Sequence, residues 1–248
     1  MKTYLHALIM AQSMFCYIPF PCRIWDEEAR PKMLLFLPVI GLEIGIIWFA
    51  LSRLCRFLGI PALITGLVLC AYPYIVTGFL HLDGFMDVVD AIRSCRDQAR
   101  RLEILKDSHV GSFAVVGCVL LMIAGFAFCA SGFADDRVLI FIPTVSRCGS
   151  ALAVTVLRPI SVSQYAKQQF SKGQAAVLVT ELICFLIAAV LICRLNAAAL
   201  LFGMAGYAYA LRKGYKSLGG MNGDVAGYAL TVSELCGVAA CAVLGGLL

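Results

Sequence analysis

Three aspartates stand at helical spacing, directly after an apolar stretch. An α-helix would place Asp83, Asp87 and Asp90 on one face, within about 60° of each other. Carboxylates on one face repel each other, so they do not stabilise a helix by themselves. Hard oxygen donors suit Mg²⁺ or Mn²⁺, usually with substrate phosphates completing the coordination shell. A solvated polar face is the alternative, but ionisable groups at the mouth of an apolar span are usually functional. The spacing predicts a metal site.

Residues 82–109 form the largest polar segment of the chain. Arg93, Arg96 and Arg100 continue the helical spacing, which predicts a phosphate-binding face, since guanidinium groups bind phosphate bidentately. The alternative is that these cations face lipid and set the topology. A further group of polar candidates ends the segment: Lys106, Asp107 and Ser108. The last two of these are also expected to cap the following span.

A second polar segment, residues 219–224, is rich in glycine and ends in an aspartate. Gly220 and Gly223 predict a tight loop whose backbone amides can approach phosphate oxygens. Asp224 opens the last span, where it could serve only as a helix N-cap. The functional alternative makes it a further metal ligand on the same membrane side as Asp83.

Four ionisable residues lie inside apolar stretches, namely Glu43, Arg147, Glu181 and Glu234. Each is costly in hydrocarbon and is expected to pair with another or to line a polar cavity. Pairing with Arg147 is the structural alternative, and substrate binding by Arg147 is the functional one.

The composition is that of a membrane protein. The 248 residues are 61% hydrophobic and 14% charged, and the mean hydropathy is +0.90. A soluble domain is close to half apolar and a quarter charged. We therefore predict an all-α, polytopic integral membrane protein with a single membrane-embedded domain over 1–248. An interfacial or re-entrant helix at 3–17 precedes about seven spans of the length a bilayer requires: 33–52, 60–81, 110–132, 138–157, 175–193, 196–211 and 225–247.

Lysine and arginine are distributed unequally between the two sides of this topology. The N-terminal segment and the loops 82–109, 158–174 and 212–224 carry fifteen of the twenty. The other side carries Arg53, Arg56, Arg137 and Arg194. The positive-inside rule then places the aspartates at the cytoplasmic face. A bacterial inner membrane is the expected location, and the cysteines are read as reduced.

Several of these residues together carry a resemblance. It rests on His81-Leu82-Asp83-Gly84, Asp87, Asp90, the run 102–108, Gly111 and the loop 219–224, with support from residues 18–21, 38–42 and Glu234. In this order they resemble the cobalamin synthase family, the adenosylcobinamide-GDP ribazoletransferases. The chain departs from the family pattern at Ala91, where glycine is usual, and at His109, where arginine is usual.

The resemblance implies a reaction. In this family a ribose hydroxyl of α-ribazole, or of its 5′-phosphate, attacks the cobinamide-side phosphorus of adenosylcobinamide-GDP, and GMP leaves. Mg²⁺ is the implied cofactor, with the metal on Asp83, Asp87, Asp90 and Asp224. The implied catalytic residues are Asp83, Asp87, Asp224 and Lys106. With the arginines proposed above from spacing and burial, the predicted substrate- and phosphate-binding residues are His81, Arg93, Arg96, Arg100, Asp107, Ser108, Arg147, Gly220 and Gly223.

The expected partners are the corrinoid and α-ribazole substrates and the lipid bilayer. We expect no nucleic acid, and a homo-oligomer is compatible with the sequence. One alternative is a CDP-alcohol phosphotransferase of phospholipid synthesis, but residues 83–94 lack the Ala-Arg pair and the glycine of that motif. Another is a secondary transporter that uses the buried glutamates, although the polar residues concentrate in a loop rather than at mid-membrane. Motifs for ATP hydrolysis, dinucleotide binding and serine hydrolysis are absent from the sequence.

Overall fold

The protein is a helical bundle in the computed structural model, which describes residues 2–160 and 172–245. The helices are α1 (Lys2–Phe15), α2 (Leu37–Phe57), α3 (Ala62–Val76), α4 (Leu80–Arg93), α5 (Gln98–Ile104), α6 (Ser112–Ser131), α7 (Val138–Val156), α8 (Lys172–Cys193), α9 (Ala198–Leu218) and α10 (Gly223–Gly245). Segments of 3-10 helix precede α2 and α9, at Arg30–Phe36 and Arg194–Ala197.

Within the described residues, five helices are long and apolar enough to cross a membrane, or up to six if α3 and α4 together form one broken span. One of the five is the helical run Lys172–Leu218. Arg194 divides this run into α8 and α9, where its φ of 53° turns the chain. The predicted all-α polytopic membrane fold is confirmed, and the predicted number of about seven spans depends on how these broken helices are counted.

The chain bends by 90° between α3 and α4. Gly78 and Phe79 both have left-handed backbone conformations, with φ of 58° and 62°. Glycine adopts this conformation freely, whereas for phenylalanine it is unfavourable by about 1–2 kcal/mol. The sequence predicted one span over 60–81. The structure instead divides it shortly before Asp83, the first residue of the aspartate stripe formed by Asp83, Asp87 and Asp90.

Helix α1 covers this bend. Its buried face packs into the main apolar core through Ala7, Met10, Ala11 and Phe15. Just after the helix, the amide of Tyr17 donates to the carbonyl of Val76, at 2.6 Å, and so satisfies a backbone oxygen that the bend would otherwise leave free. The predicted N-terminal helix is present, and it is an integral part of the bundle.

Helix α4 packs closely against the start of α10. A Cβ added at Gly84 would lie 2.9 Å from the Asp224 Cα, so only glycine allows this approach without displacement. Gly227 similarly faces the backbone of His81, and the Thr231 hydroxyl donates to the His81 carbonyl at 3.2 Å. These contacts bring two polar segments, far apart in the sequence, to the same end of the bundle.

The opposite end of the bundle holds a separate group of ion pairs. Asp136 is 1% exposed and accepts from Arg53 at 3.0 Å and from Arg56 at 3.2 Å. Asp135 forms a bidentate pair with Arg137, at 2.8 and 2.9 Å. Three of the four cations that the sequence assigns to this side therefore pair with a carboxylate.

Candidate active site

A cavity of about 120 Å³ lies between α4 and α10. Asp83, Asp224 and Gly223 line it together with His81 and Ser150, and apolar side chains from α1 and α2 close its other wall. Asp83 is exposed and Asp224 is half-buried. The structure therefore brings the first aspartate of the stripe and the aspartate of the second polar segment into one site, as the sequence predicted.

His81 presents a free ring nitrogen in this cavity. Its side chain is buried, its ring stacks on Phe15 with centroids 6.5 Å apart, and its Nε2 has no hydrogen-bond partner among residues 2–160 and 172–245. A buried polar atom without a partner is costly. The ring is therefore held in place by packing, and its unpaired, buried nitrogen is a candidate hydrogen-bond partner for a substrate group.

Asp224 is not the N-cap of α10. The carboxamide oxygen of Asn222 accepts from the Val225 amide at 2.9 Å, which is the capping bond, and its Nδ2 donates to Asp224 at 2.7 Å. The alternative that Asp224 serves only as the N-cap was wrong. Asparagine and aspartate both cap well, and Asn222, two residues earlier, occupies the N-cap position. The Asp224 carboxylate, oriented by the Asn222 amide, lines the cavity.

Asp87 lies half-buried between the other carboxylates. The charges of Asp83, Asp224 and Asp90 all act on it. Within the described ranges, no group of three or more His, Cys, Asp or Glu side chains is close enough to hold a metal ion. Mg²⁺ usually takes one or two carboxylates together with water and substrate phosphates, so this donor set fits a metal held jointly with a diphosphate.

Asp90 turns away from the cavity towards the start of α6. Its Oδ1 accepts from the Ala114 amide at 3.3 Å, and a Cβ at Gly111 would overlap with its carboxylate. The expected cap of α6 by Asp107 and Ser108 was wrong, because the Asp107 carboxylate instead binds the amide of His109. Asp90 caps α6 from a neighbouring helix.

We expect Asp90→Asn to leave the free energy of unfolding nearly unchanged, because asparagine caps about as well as aspartate. Asp90→Ala should lower it by about 1 kcal/mol. Thermal unfolding of both purified variants in detergent checks this difference. An equal loss in the two variants would show that the charge, and not the cap, is what stabilises the protein.

The three arginines do not share one helical face. Helix α4 ends at Arg93, and Cys95 has a φ of 53°, which turns the chain. Asp97 then caps α5 by accepting from the Arg100 amide at 2.9 Å. The single phosphate-binding face predicted from the spacing was wrong, because a local turn and a capping aspartate restart the helix.

These arginines have different surroundings, and all three are exposed. Arg93 lines a separate cleft, and the Arg100 side chain pairs with Glu103. Arg96 lies in the turn between α4 and α5. Phosphate binding by each of them stays a prediction.

The end of this polar segment is also exposed. Lys106, Asp107 and Ser108 follow α5 and do not line the cavity. The amide and ring of His109 hold the pKa of Asp107 below its ordinary value, so the carboxylate stays charged at neutral pH. These residues can contact the substrate only if it extends beyond the cavity, so their predicted catalytic and phosphate-binding roles stay predictions.

The glycine-rich loop is held by a neighbouring strand-like segment. The Met221 amide donates to the Arg158 carbonyl, and the Ile160 amide donates to Met221, both at 2.9 Å. Gly220 is needed for this approach, since a Cβ there would lie 2.8 Å from the Ile160 nitrogen. Gly223 lines the cavity, whereas Gly220 is placed against this segment.

Arg147 lies deep in the bundle and pairs with Glu234. The two side chains are 2.6 Å apart, Arg147 is 0% exposed, and Ser146 also donates to Glu234, at 3.0 Å. In the described part of the chain, Nε and Nη2 of Arg147 have no partner. Glu43 accepts instead from Gln12, at 3.3 Å. Internal pairing is thus present, and substrate binding by Arg147 stays a prediction.

Sequence reasoning missed several residues that shape the cavity. Ser150 reaches it from α7, Phe15 supports the His81 ring, and Asn222 frees Asp224 from capping. Gly84 allows α4 to reach α10. Only Gly84 carried a sequence signal, as the glycine directly after the first aspartate.

The fold and the cavity define a class of protein: a polytopic helical membrane protein with a carboxylate-lined site at one end of its bundle. The cobalamin-5-phosphate synthase family profile matches residues 7–242, and the chain belongs to this family.

Relatives of similar length agree with this assignment. A protein of Clostridium perfringens (strain SM101 / Type A) named adenosylcobinamide-GDP ribazoletransferase is 37% identical, over 96% of this chain and 98% of its own. A protein of the same name from Clostridium botulinum (strain Alaska E43 / Type E3) is 34% identical, over 96% and 97%. One from Lachnoclostridium phytofermentans is 29% identical, over 99% and 96%. No solved structure matches the chain significantly.

Proposed function

We propose that this chain, acting as one membrane-embedded domain, joins adenosylcobinamide-GDP to α-ribazole or its 5′-phosphate and releases GMP. The product is adenosylcobalamin or its 5′-phosphate, the last assembly step of the coenzyme. The observation that carries the proposal is the shared cavity of Asp83, Asp224 and His81. Family membership and the names of the relatives support the same reaction over a phospholipid synthase or a transporter.

Phosphoryl transfer depends on positioning and on neutralising negative charge more than on covalent chemistry by the protein. A carboxylate at Asp83 or Asp224 accepts the proton of the attacking ribose hydroxyl. The free Nε2 of His81 hydrogen-bonds a polar group of the bound substrate. Lys106, which is exposed after α5, neutralises the departing GMP phosphate where the substrate extends beyond the cavity.

The proposed cofactor is Mg²⁺, held by one or two of the carboxylates of Asp83, Asp87 and Asp224 together with the substrate diphosphate. When bound, it would neutralise the phosphate oxygens on which charge develops. Asp90 is a weaker candidate for this shell because its Oδ1 already accepts from α6. Mutual repulsion of the carboxylates favours binding of a cation.

The test is an assay of the purified protein in detergent with adenosylcobinamide-GDP, α-ribazole and Mg²⁺. We expect GMP and adenosylcobalamin to appear in equal amounts. A parallel reaction with α-ribazole 5′-phosphate identifies the preferred acceptor, and excess chelator tests the metal. Absence of both products with either acceptor would overturn the proposal.

We further propose that the cavity faces the cytoplasm, across a bacterial inner membrane. The basic segments around Arg101 and Lys216 lie at this end of the bundle, where Arg101 donates to the Ser217 carbonyl, while cations at the other end pair with Asp135 and Asp136. Net positive charge is therefore concentrated on the cavity side, which the positive-inside rule assigns to the cytoplasm.

Native Cys95 reports this orientation, because it is exposed in the segment between α4 and α5. With exposed Cys22 and Cys184 replaced by serine, Cys95 should resist a membrane-impermeant thiol reagent in intact cells and react after permeabilisation. Ala134→Cys, at an exposed position on the other side, should react in intact cells. The reverse labelling pattern would invert the topology.

A further inference from the structure

A second cleft, of about 440 Å³, opens between α4 and α6. Its floor is apolar, with Phe85, Val89 and Ile92 from α4 facing Phe113, Val116 and Leu120 from α6. Gly117 brings the two helices together, since a Cβ there would lie 3.0 Å from a Val89 methyl. The cleft is distinct from the carboxylate cavity, because its α4 residues lie on the opposite side of the helix from Asp83 and Asp87.

The α6 wall of the cleft belongs to a surface that faces hydrocarbon. Only 22% of the apolar window of α6 is buried within the protein. Val116 and Leu120 are 57% and 62% exposed, and in a spanning helix such side chains contact lipid tails. An acyl chain can therefore enter the cleft from the side without crossing water.

Two cations stand at the cleft without carboxylate partners. Arg93 comes from the end of α4 and Lys213 from α9, and neither forms a salt bridge within residues 2–160 and 172–245. Lys213 lies over the Tyr209 ring, 5.8 Å from its centre, in a cation–π contact that supplies no negative charge. Tyr228, whose ring stacks on Phe85, contributes its hydroxyl-bearing ring to the same lining.

We propose that this cleft binds one anionic phospholipid, with the headgroup phosphate between Arg93 and Lys213 and an acyl chain along α6. An arginine binds two phosphate oxygens at once, and a lysine adds a mobile point charge. Basic pockets between membrane helices at the cytoplasmic side are suited to anionic headgroups. A soluble anion fits the cleft less well than a phospholipid, because it would leave the apolar, hydrocarbon-facing part of the cleft empty.

Native mass spectrometry of the purified protein with dioleoyl phosphatidylglycerol tests this site directly, with no need for enzymatic activity. We expect one tightly retained lipid, and weaker retention of dioleoyl phosphatidylcholine. The variant Arg93→Gln/Lys213→Gln should reduce retention at least tenfold. Leu120→Trp, which fills the cleft and keeps both cations, should do the same.

The matched control is Lys216→Gln, which removes an exposed cation of α9 that does not line the cleft. It should retain the lipid as the unmodified protein does. Equal retention in the double variant and the unmodified protein would overturn the proposal. Displacement of the lipid by millimolar inorganic phosphate would do so too, since the site would then recognise a soluble anion. The circular dichroism spectrum of each variant, compared with that of the unmodified protein, excludes loss of the fold.

Discussion

Asp83→Asn is expected to lower turnover at least about 10²-fold while the protein still inserts in the membrane. Asparagine keeps the shape of aspartate and loses its charge. Because Asp83 is exposed in the cavity, the substitution should not destabilise the bundle. The measurement is GMP release by purified protein at saturating Mg²⁺. Glu28→Gln, which removes an exposed carboxylate outside the cavity, is the matched control.

Asp224→Asn should produce a loss of the same order. A capping explanation is excluded, because Asn222 already caps α10. The double variant should then be far less impaired than the product of the two single losses, since residues that act as one unit fail together. Multiplicative losses would show that the two carboxylates act separately, and normal turnover of the unmodified protein in excess chelator would contradict a shared metal.

Removal of one partner from the buried ion pair should have the largest effect on stability. Arg147→Met leaves Glu234 with only the Ser146 hydroxyl, and loss of one member of a buried pair costs about 3–5 kcal/mol. The double variant Arg147→Met/Glu234→Leu should recover most of this loss, since it leaves no uncompensated charge. Thermal unfolding in detergent, with lipid held constant, measures both changes.

The same double variant separates the two interpretations of Arg147. Arg147 is fully buried, and the side chains that line the carboxylate cavity do not include it. We therefore expect the stable double variant to retain turnover within about threefold of the unmodified protein, well short of a catalytic loss. A folded double variant without activity would instead return Arg147 to the substrate site.

The aspartate stripe could be predicted because its position depends only on local helical spacing. Asp83, Asp87 and Asp90 do lie on one helix, α4. The sequence could not show that Asp90 turns to α6, because that bond depends on where Gly111 lies in space. Helical spacing predicts which residues share a face, but the contacts of that face depend on how the helices pack.

The bend before α4 and the turn after it were harder to predict. Phe79 and Cys95 have left-handed conformations that their residue types disfavour. Tertiary contacts, such as the Tyr17 bond to Val76, stabilise what local preference does not. Similarly, the sequence could predict that Arg147 pairs with a buried glutamate. Which glutamate it pairs with, Glu234 and not Glu43, depends on the helix arrangement.

The position of α1 over the bend has a consequence for biogenesis. The ribosome makes α1 before α3 and α4, yet Phe15 of α1 packs on His81, and Tyr17, just after the helix, binds Val76. Until α3 and α4 are made, the apolar face of α1 can rest only at the membrane surface. The cavity wall formed by Phe15 and Met14 is therefore completed only after α3 and α4 have inserted. An N-terminal fusion that restrains α1 should delay maturation of the site without blocking insertion of the later helices.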